Sequence, residues 1–316
     1  MTSDVAVVVV NFNGERLLPA CLAALRAQTL APADVLVADN GSSDGSLALL
    51  RAHHPDVRIA ELHRNHGFAG GANRGVAATS APWVCVLNSD ATPEPDWLAR
   101  LMAAPRDART WALGSVLVSA ATGRIESAGD QYSPQGYAYK LLRDRPLSQL
   151  PREPYRVFAA PGAAPVLRRD VFDRLGGYEE RFFLYYEDVD LAFRAVLTGW
   201  HALLVPDARV VHQLGATTRS LARARFYVAR NSIWCAVRCL PETGPLRLGR
   251  RWAGELRTNR PRRLVPVELA GRAAGLAALP RVLRERREIQ DARVPGLDEL
   301  GELLRPPEAI TRVSRA

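Results

Sequence analysis

At 316 residues, with 47% hydrophobic and 24% charged side chains, the chain is long enough to bury a large core and has the composition of a globular protein, not a disordered or fibrous one. Its net charge of +9 is uneven: residues 241–316 hold 16 Lys+Arg against 10 Asp+Glu, the earlier residues 26 against 23. A basic face running across the whole domain is thereby excluded, and nucleic acid with it as a partner. All of these basic residues are arginine except Lys140. The four cysteines contain no Cys-x-x-Cys pair, which excludes a zinc ribbon or a thioredoxin-type site and fits a reducing cytosol. The opening MTSDVAVVVVNFNG is not the pattern of a signal peptide, and no run of 18 apolar residues occurs, so a cytoplasmic location is expected.

The first third alternates strand and helix patterns. Val5–Val10 is a continuous apolar run, as a strand buried on both faces would be. Leu17, Leu18, Cys21, Leu22 and Leu25 then recur at helical spacing. Asp34–Asp39 is a second strand, followed by a loop with helix-capping residues and a helix to about His53. Val57–Leu62 is a third strand, leading into a small-residue helix from Phe68 to Thr79, and Trp83–Asn88 is a fourth. This rhythm predicts an α/β fold with a mostly parallel, Rossmann-like sheet flanked by helices. Further on, Trp111–Ser119 reads as a strand, 129–156 as a long polar stretch, and Arg168–Leu175 as a short helix closed by Gly176-Gly177. Glu187–Thr198 is a helix, HALLVP and ARVVH are two short strands, and 217–239 is a helix.

Four polar stations follow the strand ends, where open α/β sheets bind ligands. Asn11 and Asn13 lie in NFNG after the first strand. The dinucleotide fingerprint Gly-x-Gly-x-x-Gly is absent there, which counts against a dehydrogenase. Asp39 and Asn40 end the second strand, where they can serve a base or ribose hydroxyls, although a capped loop is the plainer alternative. NHGFAGGANRG, with Asn65 and Asn73, sits at a strand-to-helix transition. It suits close backbone approach to a diphosphate or, equally, tight helix-on-sheet packing. Asn88-Ser89-Asp90 offers one carboxylate for a hard divalent cation beside a diphosphate. Glu187 and Asp188 follow the bulky FFLYY, which would desolvate a carboxylate and raise its pKa as a general base needs; Asp188 is the expected base, with Glu187 supporting the acceptor. Asp190 reads as an ordinary surface partner of Arg194 four residues on. His212, after a late strand, can supply the second protein ligand that Asp90 lacks.

Together VVVVNFNG, VADNGSSDGS, NHGFAGGANRG, LNSDATP, GGYEERFFLYYEDVDLAFRAVLTGW and VVHQLG resemble the family-2 glycosyltransferases, most of all their bacterial rhamnosyltransferase-like branch, over about residues 4–235. The resemblance implies a GT-A fold, a nucleotide-sugar donor, Mg2+ or Mn2+, and an inverting mechanism. It places the nucleotide sugar near Val10, Asn11, Asn13, Asp39, Asn40, Asn65, Phe68, Gly71, Asn73, Asn88 and Asp90. It also makes Asp90 and His212 the metal ligands and Asp188 the base, with Asn88 standing where the first acid of the Asp-x-Asp-type motif would be. The expected product is a cell-envelope glycan, made on a glycan or polyprenyl-diphosphate-linked acceptor.

The expected division is a catalytic domain over 1–240, with a nucleotide-binding half (1–100) and an acceptor half (101–240), and a basic, amphipathic, helical C-terminal region over 241–316. Seven arginines lie between Arg247 and Arg263, followed by the apolar but interrupted Leu264–Leu283. Two readings stay open: attachment of 247–283 to an anionic membrane surface, or a helical appendage packed on the catalytic domain.

Overall fold

The computed structural model describes residues 2–133, 137–213, 215, 220–240, 262–294 and 304. Its centre is a sheet of order β10-β12-β6-β11-β4-β1-β2-β3, with two short strands, β5 and β7, attached to its second half. β1 (Val5–Asn11), β2 (Asp34–Asp39), β3 (Arg58–Glu61) and β4 (Trp83–Asn88) pair in parallel. Helices α1 (Leu18–Arg26), α2 (Ser46–His53) and α3 (Gly67–Ala77) make the crossovers. β5 (Ala91–Pro93) and α4 (Trp97–Ala103) follow. The second half mixes directions: β6 (Thr110–Ser119) runs parallel to β12 (His201–His212), while β11 (Val166–Arg168) is antiparallel to both β4 and β6.

The valine run explains why β1 is central. Side chains alternate across a strand. Val5, Val7 and Val9 enter the core under α1 and α4, while Val8 and Val10 enter the opposite core under α3. Burying a side chain of this size is worth about 1.5–3 kcal/mol. A polar residue anywhere in Val5–Val9 would therefore be costly. The glycines of α3 resolve one alternative left by the sequence. A Cβ on Gly75 would lie 2.3 Å from Val8, and one on Gly71 3.0 Å from the Asn40 amide, so these two serve helix-on-sheet packing. Gly67 differs: its φ of +75° is open to glycine at no steric cost, and its carbonyl accepts from Asn40.

Three readings of the sequence are corrected. The HALLVP and ARVVH segments are one strand, β12, interrupted by a register shift between Val205 and Arg209. The polar stretch 129–156 is not a plain loop. It contains a hairpin of β8 (Asp130–Tyr132) and β9 (Ala138–Lys140), then β10 (Tyr155–Val157). Three-residue strands are too short to show a period. Asp190 is not on the surface: it is fully buried, paired with Arg194 at 2.8 Å and Arg238 at 2.9 Å.

A third core lies beneath α6 (Glu187–Leu197) and α7 (Leu221–Cys239), with Tyr132, Phe158 and Phe182 among its largest side chains. The helix expected over 217–239 is observed from Leu221; residues 217–219 lie outside the described residues. Two further helices, α8 (Val265–Ala277) and α9 (Leu279–Asp291), pack on this unit. Gly271 and Gly275 of α8 lie against the α7 backbone, Trp234 donates to the Gly275 carbonyl at 3.1 Å, and Val282 of α9 enters the core. The C-terminal helices are thus packed on α7 and the core beneath it. The arginine-rich 247–261 lies outside the described residues.

Candidate active site

Register brings the stations together. Asn11 is opposite Asp39, and Val10 opposite Asn88, so the ends of β1, β2 and β4 share one edge. β5 pairs with β12 with Ala91 opposite His212, which sets the imidazole beside Asp90. β7 (Ile125–Ser127) pairs with β6, itself next to β12, and carries Glu126 to the other side of the same ring. Beyond this edge lies a cavity of about 350 Å³. Val10, Asn40, Asn65, Phe68, Asn88 and Asp90 line it, with Glu187, Asp188 and His212 also in its wall.

The other expected nucleotide residues stand behind that wall. Asp39 is 1% exposed and accepts from the Asn11 amide and the Ser42 N–H, both at 2.9 Å. Asn13, at a φ of +55°, holds the Ser43 and Asp44 N–H groups with its Oδ1. Asn73 is engaged elsewhere: its amide donates to the Tyr178 carbonyl at 2.8 Å and accepts from the Tyr178 N–H at 2.9 Å. Asn73 thereby ties α3 to the segment around Tyr178, while Gly71 lets α3 lie close to Asn40 and Val10.

The imidazole of His212 is held at both nitrogens, Nε2 at 3.1 Å from Asp90 Oδ1 and Nδ1 at 2.8 Å from Glu126 Oε2. Burial opposes its protonation, yet the bonds and charges of Asp90 and Glu126 prevail and push its pKa up to about 9. Burial would likewise raise Glu126, but His212 and Lys140 outweigh it and hold that carboxyl near about 2. Glu126 therefore fixes which nitrogen of His212 faces Asp90. Outer carboxylates orient metal-bound imidazoles in the same way. One carboxylate and one imidazole converging on a point fit a borderline cation such as Mn2+ better than the all-oxygen shell of Mg2+. Among the described residues no group of three or more potential ligands gathers. The remaining coordination would fall to the diphosphate.

The wall formed by Glu187 and Asp188 is dominated by buried acid. Burial, then the charge of Asp130, pushes Asp188 up to about 6. Burial and the charge of Asp188 carry Glu187 well above the usual carboxylate range, and its Oε2 is buried without a hydrogen-bond partner. The loop before them adopts a rare backbone: Phe183, Tyr185 and Tyr186 all have positive φ, at +64°, +68° and +72°. Asn231 of α7 pins that loop by donating to the carbonyls of Phe182, Leu184 and Tyr185 at 2.7–2.9 Å. Phe183 stacks on Tyr227 at 5.2 Å, which ties the same loop to the side of α7.

Sequence reasoning missed Glu126, Asp130, Lys140 and Asn231. Asp130 and Lys140 line the cavity directly, from the hairpin that read as a polar loop. One signal was available for Lys140, its being the single lysine of the chain.

Comparison with known proteins agrees with this geometry. The model of the glycosyl transferase family 2 matches residues 6–176. The N-acetylglucosaminyl-diphospho-decaprenol L-rhamnosyltransferase of Mycobacterium tuberculosis is 31% identical over 248 residues, 69% of this chain and 78% of that protein. The pre-mycofactocin glycosyltransferase of the same organism is 30% identical over 77% of this chain and 50% of its own length. Among solved structures, GalNAc-T7 with UDP, GalNAc and Mn2+ superposes with a TM-score of 0.58 at 18% identity, over 73% of this chain and 47% of that one. The mannosyltransferase PcManGT of Pyrobaculum calidifontis, with GDP-Man and Mn2+, gives a TM-score of 0.54 at 18% identity over 99% of this chain and 79% of that one. The sheet order is therefore that of a GT-A fold, and the chain belongs to glycosyl transferase family 2.

Proposed function

We propose that the chain is an inverting glycosyltransferase that moves a rhamnosyl group from dTDP-rhamnose to a hydroxyl of a glycan on a polyprenyl-diphosphate carrier, in the synthesis of cell-envelope polysaccharide. The observation that carries this reading is a single cavity with a buried carboxylate of pKa about 6 in its wall and an Asp90–His212 pair at the strand ends. The name of the mycobacterial rhamnosyltransferase supports the transferred sugar and the acceptor class. Asp188 takes the proton of the acceptor hydroxyl, whose oxygen attacks the anomeric carbon opposite the departing diphosphate. One displacement inverts the configuration, and no second carboxylate is needed as a nucleophile. Glu187 holds the acceptor beside Asp188. Asn40, Asn65 and Asn88 bind the nucleotide side, with Asp39 and Asn11 fixing the strand ends behind them. Mg2+ or Mn2+, held by Asp90 and His212, supplies positive charge against the diphosphate.

A donor screen tests the reading. Nucleoside diphosphate release is measured with each nucleotide sugar, in the presence of a diphosphate-lipid acceptor, with and without Mn2+. Turnover with dTDP-rhamnose above UDP- and GDP-sugars is expected. The second reading is transfer from a UDP- or GDP-sugar to a soluble acceptor. The nucleotides in the two solved neighbours keep it in the screen.

The acceptor class gives meaning to one surface. Leu269, Leu276 and Leu283 are 52%, 41% and 49% exposed along α8 and the start of α9, with Arg263 and Arg284 exposed beside them. We propose that this stripe seats the enzyme on the cytoplasmic face of an anionic membrane. No helix among the described residues is long and apolar enough to cross one. The protein is expected to float with phosphatidylglycerol vesicles and to release as salt rises. Replacing the three exposed leucines by glutamate should abolish flotation while leaving the fold intact. Equal flotation of that variant would remove the stripe from the account.

A further inference from the structure

Of the 42 Lys+Arg residues only one is lysine, and the fold places it in the wall of the active-site cavity. Lys140 ends β9, directly opposite Asp130 across the hairpin. Its ammonium lies 2.5 Å from Glu126 Oε1, whose other oxygen takes the His212 ring. Asp130 is itself fixed: its side chain accepts from Ser127 at 2.7 Å, and its backbone exchanges two bonds of 3.0 Å with Ala159. The hairpin is therefore tied to the segment after β10, and Lys140 lies in the same cavity wall as Asp90, His212 and Asp188.

The charges facing Asp188 come from several elements. Glu187 is its neighbour on α6, Asp130 raises it from β8, and the charge of Asp188 in turn raises the Tyr178 phenol just after Gly177. Every one of these is acidic. Lys140, from β9, is the opposing cation. An ammonium is a compact point charge with three donors, whereas a guanidinium is a flat fork suited to a single bidentate partner. A site that needs one charge shared between a hydrogen-bonded glutamate and two more distant carboxylates suits the former, even in a chain that otherwise uses arginine.

We propose that Lys140 is a positioning residue for transfer: anchored on Glu126 and set across the hairpin from Asp130, its ammonium offsets the carboxylates around Asp188, so that this base is ionised when the acceptor arrives. The proposal rests on Asp188 being the base. Like charges around a carboxylate favour its protonated form, and a nearby cation reverses this. Without Lys140 a larger share of Asp188 holds a proton at neutral pH and cannot take one from the acceptor.

The test is the single-turnover transfer rate against pH, at saturating donor and Mn2+, for wild type and for Lys140→Met, Lys140→Gln, Lys140→Arg and Asp188→Asn. In wild type the rate falls as pH drops through the midpoint of the base. Lys140→Met is expected to move that midpoint upward by about one unit, the size of shift one nearby charge commonly makes. The deficit is then about tenfold on the acid limb and vanishes at high pH. Lys140→Gln, which keeps a donor for Glu126 but no charge, should behave like Lys140→Met. Lys140→Arg should return the midpoint to that of wild type. An unchanged midpoint in Lys140→Met and Lys140→Gln, with the rate lowered evenly at every pH, overturns the proposal and leaves Lys140 a purely structural anchor. A wild-type midpoint in Lys140→Gln alone, with the shift confined to Lys140→Met, also overturns it, because the hydrogen bond and not the charge then matters. An active Asp188→Asn is a separate outcome: it refutes the base itself and takes this proposal down with it.

Discussion

Asp188→Asn should lower transfer by about 10²–10⁴-fold, the range typical of general-base assistance. The substitution keeps the shape and one hydrogen-bond acceptor for the Val189 N–H, which Asp188 Oδ1 now takes at 2.8 Å. It removes only the basicity. Donor and metal binding, which we assign to other residues of the cavity, should change little. Glu187→Gln should cost less, because burial and the charge of Asp188 already favour the neutral form of Glu187, whose shape Gln keeps. Rates are compared at saturating donor. A near wild-type Asp188→Asn beside a dead Glu187→Gln would exchange the two roles. Asp190→Asn belongs to a different experiment. Its carboxylate is buried between Arg194 and Arg238, so the loss should appear in Tm: Arg194 loses its carboxylate partner, and the buried Arg238 is left with Glu179 and Glu285 alone.

Asp90→Ala should abolish metal-dependent donor binding along with turnover. The structure leaves a single imidazole at that point, and an isolated histidine binds a divalent ion weakly. The expected readouts are loss of Mn2+-dependent nucleotide affinity by calorimetry, and activity in wild type that disappears with chelator and returns with Mn2+. Full activity of the chelated wild-type enzyme would remove the metal from the reaction. Glu126→Gln separates support from ligation. It should weaken Mn2+ binding by roughly 10–100-fold, as loss of an outer carboxylate commonly does, without abolishing it.

Much of the first half was legible because its signals are long. Val5–Val10 can only be a strand covered on both faces, and three strand-to-helix repeats after it leave few alternatives to a parallel sheet. Asp90, Asp188 and His212 stand out as polar groups at element ends, and the structure sets them around one cavity. What stayed hidden depends on pairing across distance. Glu126 and His212 are 86 residues apart, and nothing local announces that β7 and β12 both flank β6. Asn13 and Asn73 look like ligand groups in the sequence, yet the chain spends both amides on its own turns. Asp190 misled for a related reason. Its spacing to Arg194 is that of a surface pair, and only the arrival of Arg238 from α7 reveals it as core.

The clamp that Asn231 places on the carbonyls of residues 182–185 sets a rule for anyone building chimeras from this enzyme. Asp188 lies 43 positions before the amide that shapes its loop, and the stretch matched by the family model stops at residue 176, before either. A graft intended to exchange acceptor preference must therefore carry the segment from Gly177 through Cys239 as one block. A crossover placed after β12, where the sheet is complete, would pair one parent's loop with the other parent's pin. Such a hybrid could fold its sheet while presenting Asp188 from a relaxed and misdirected turn.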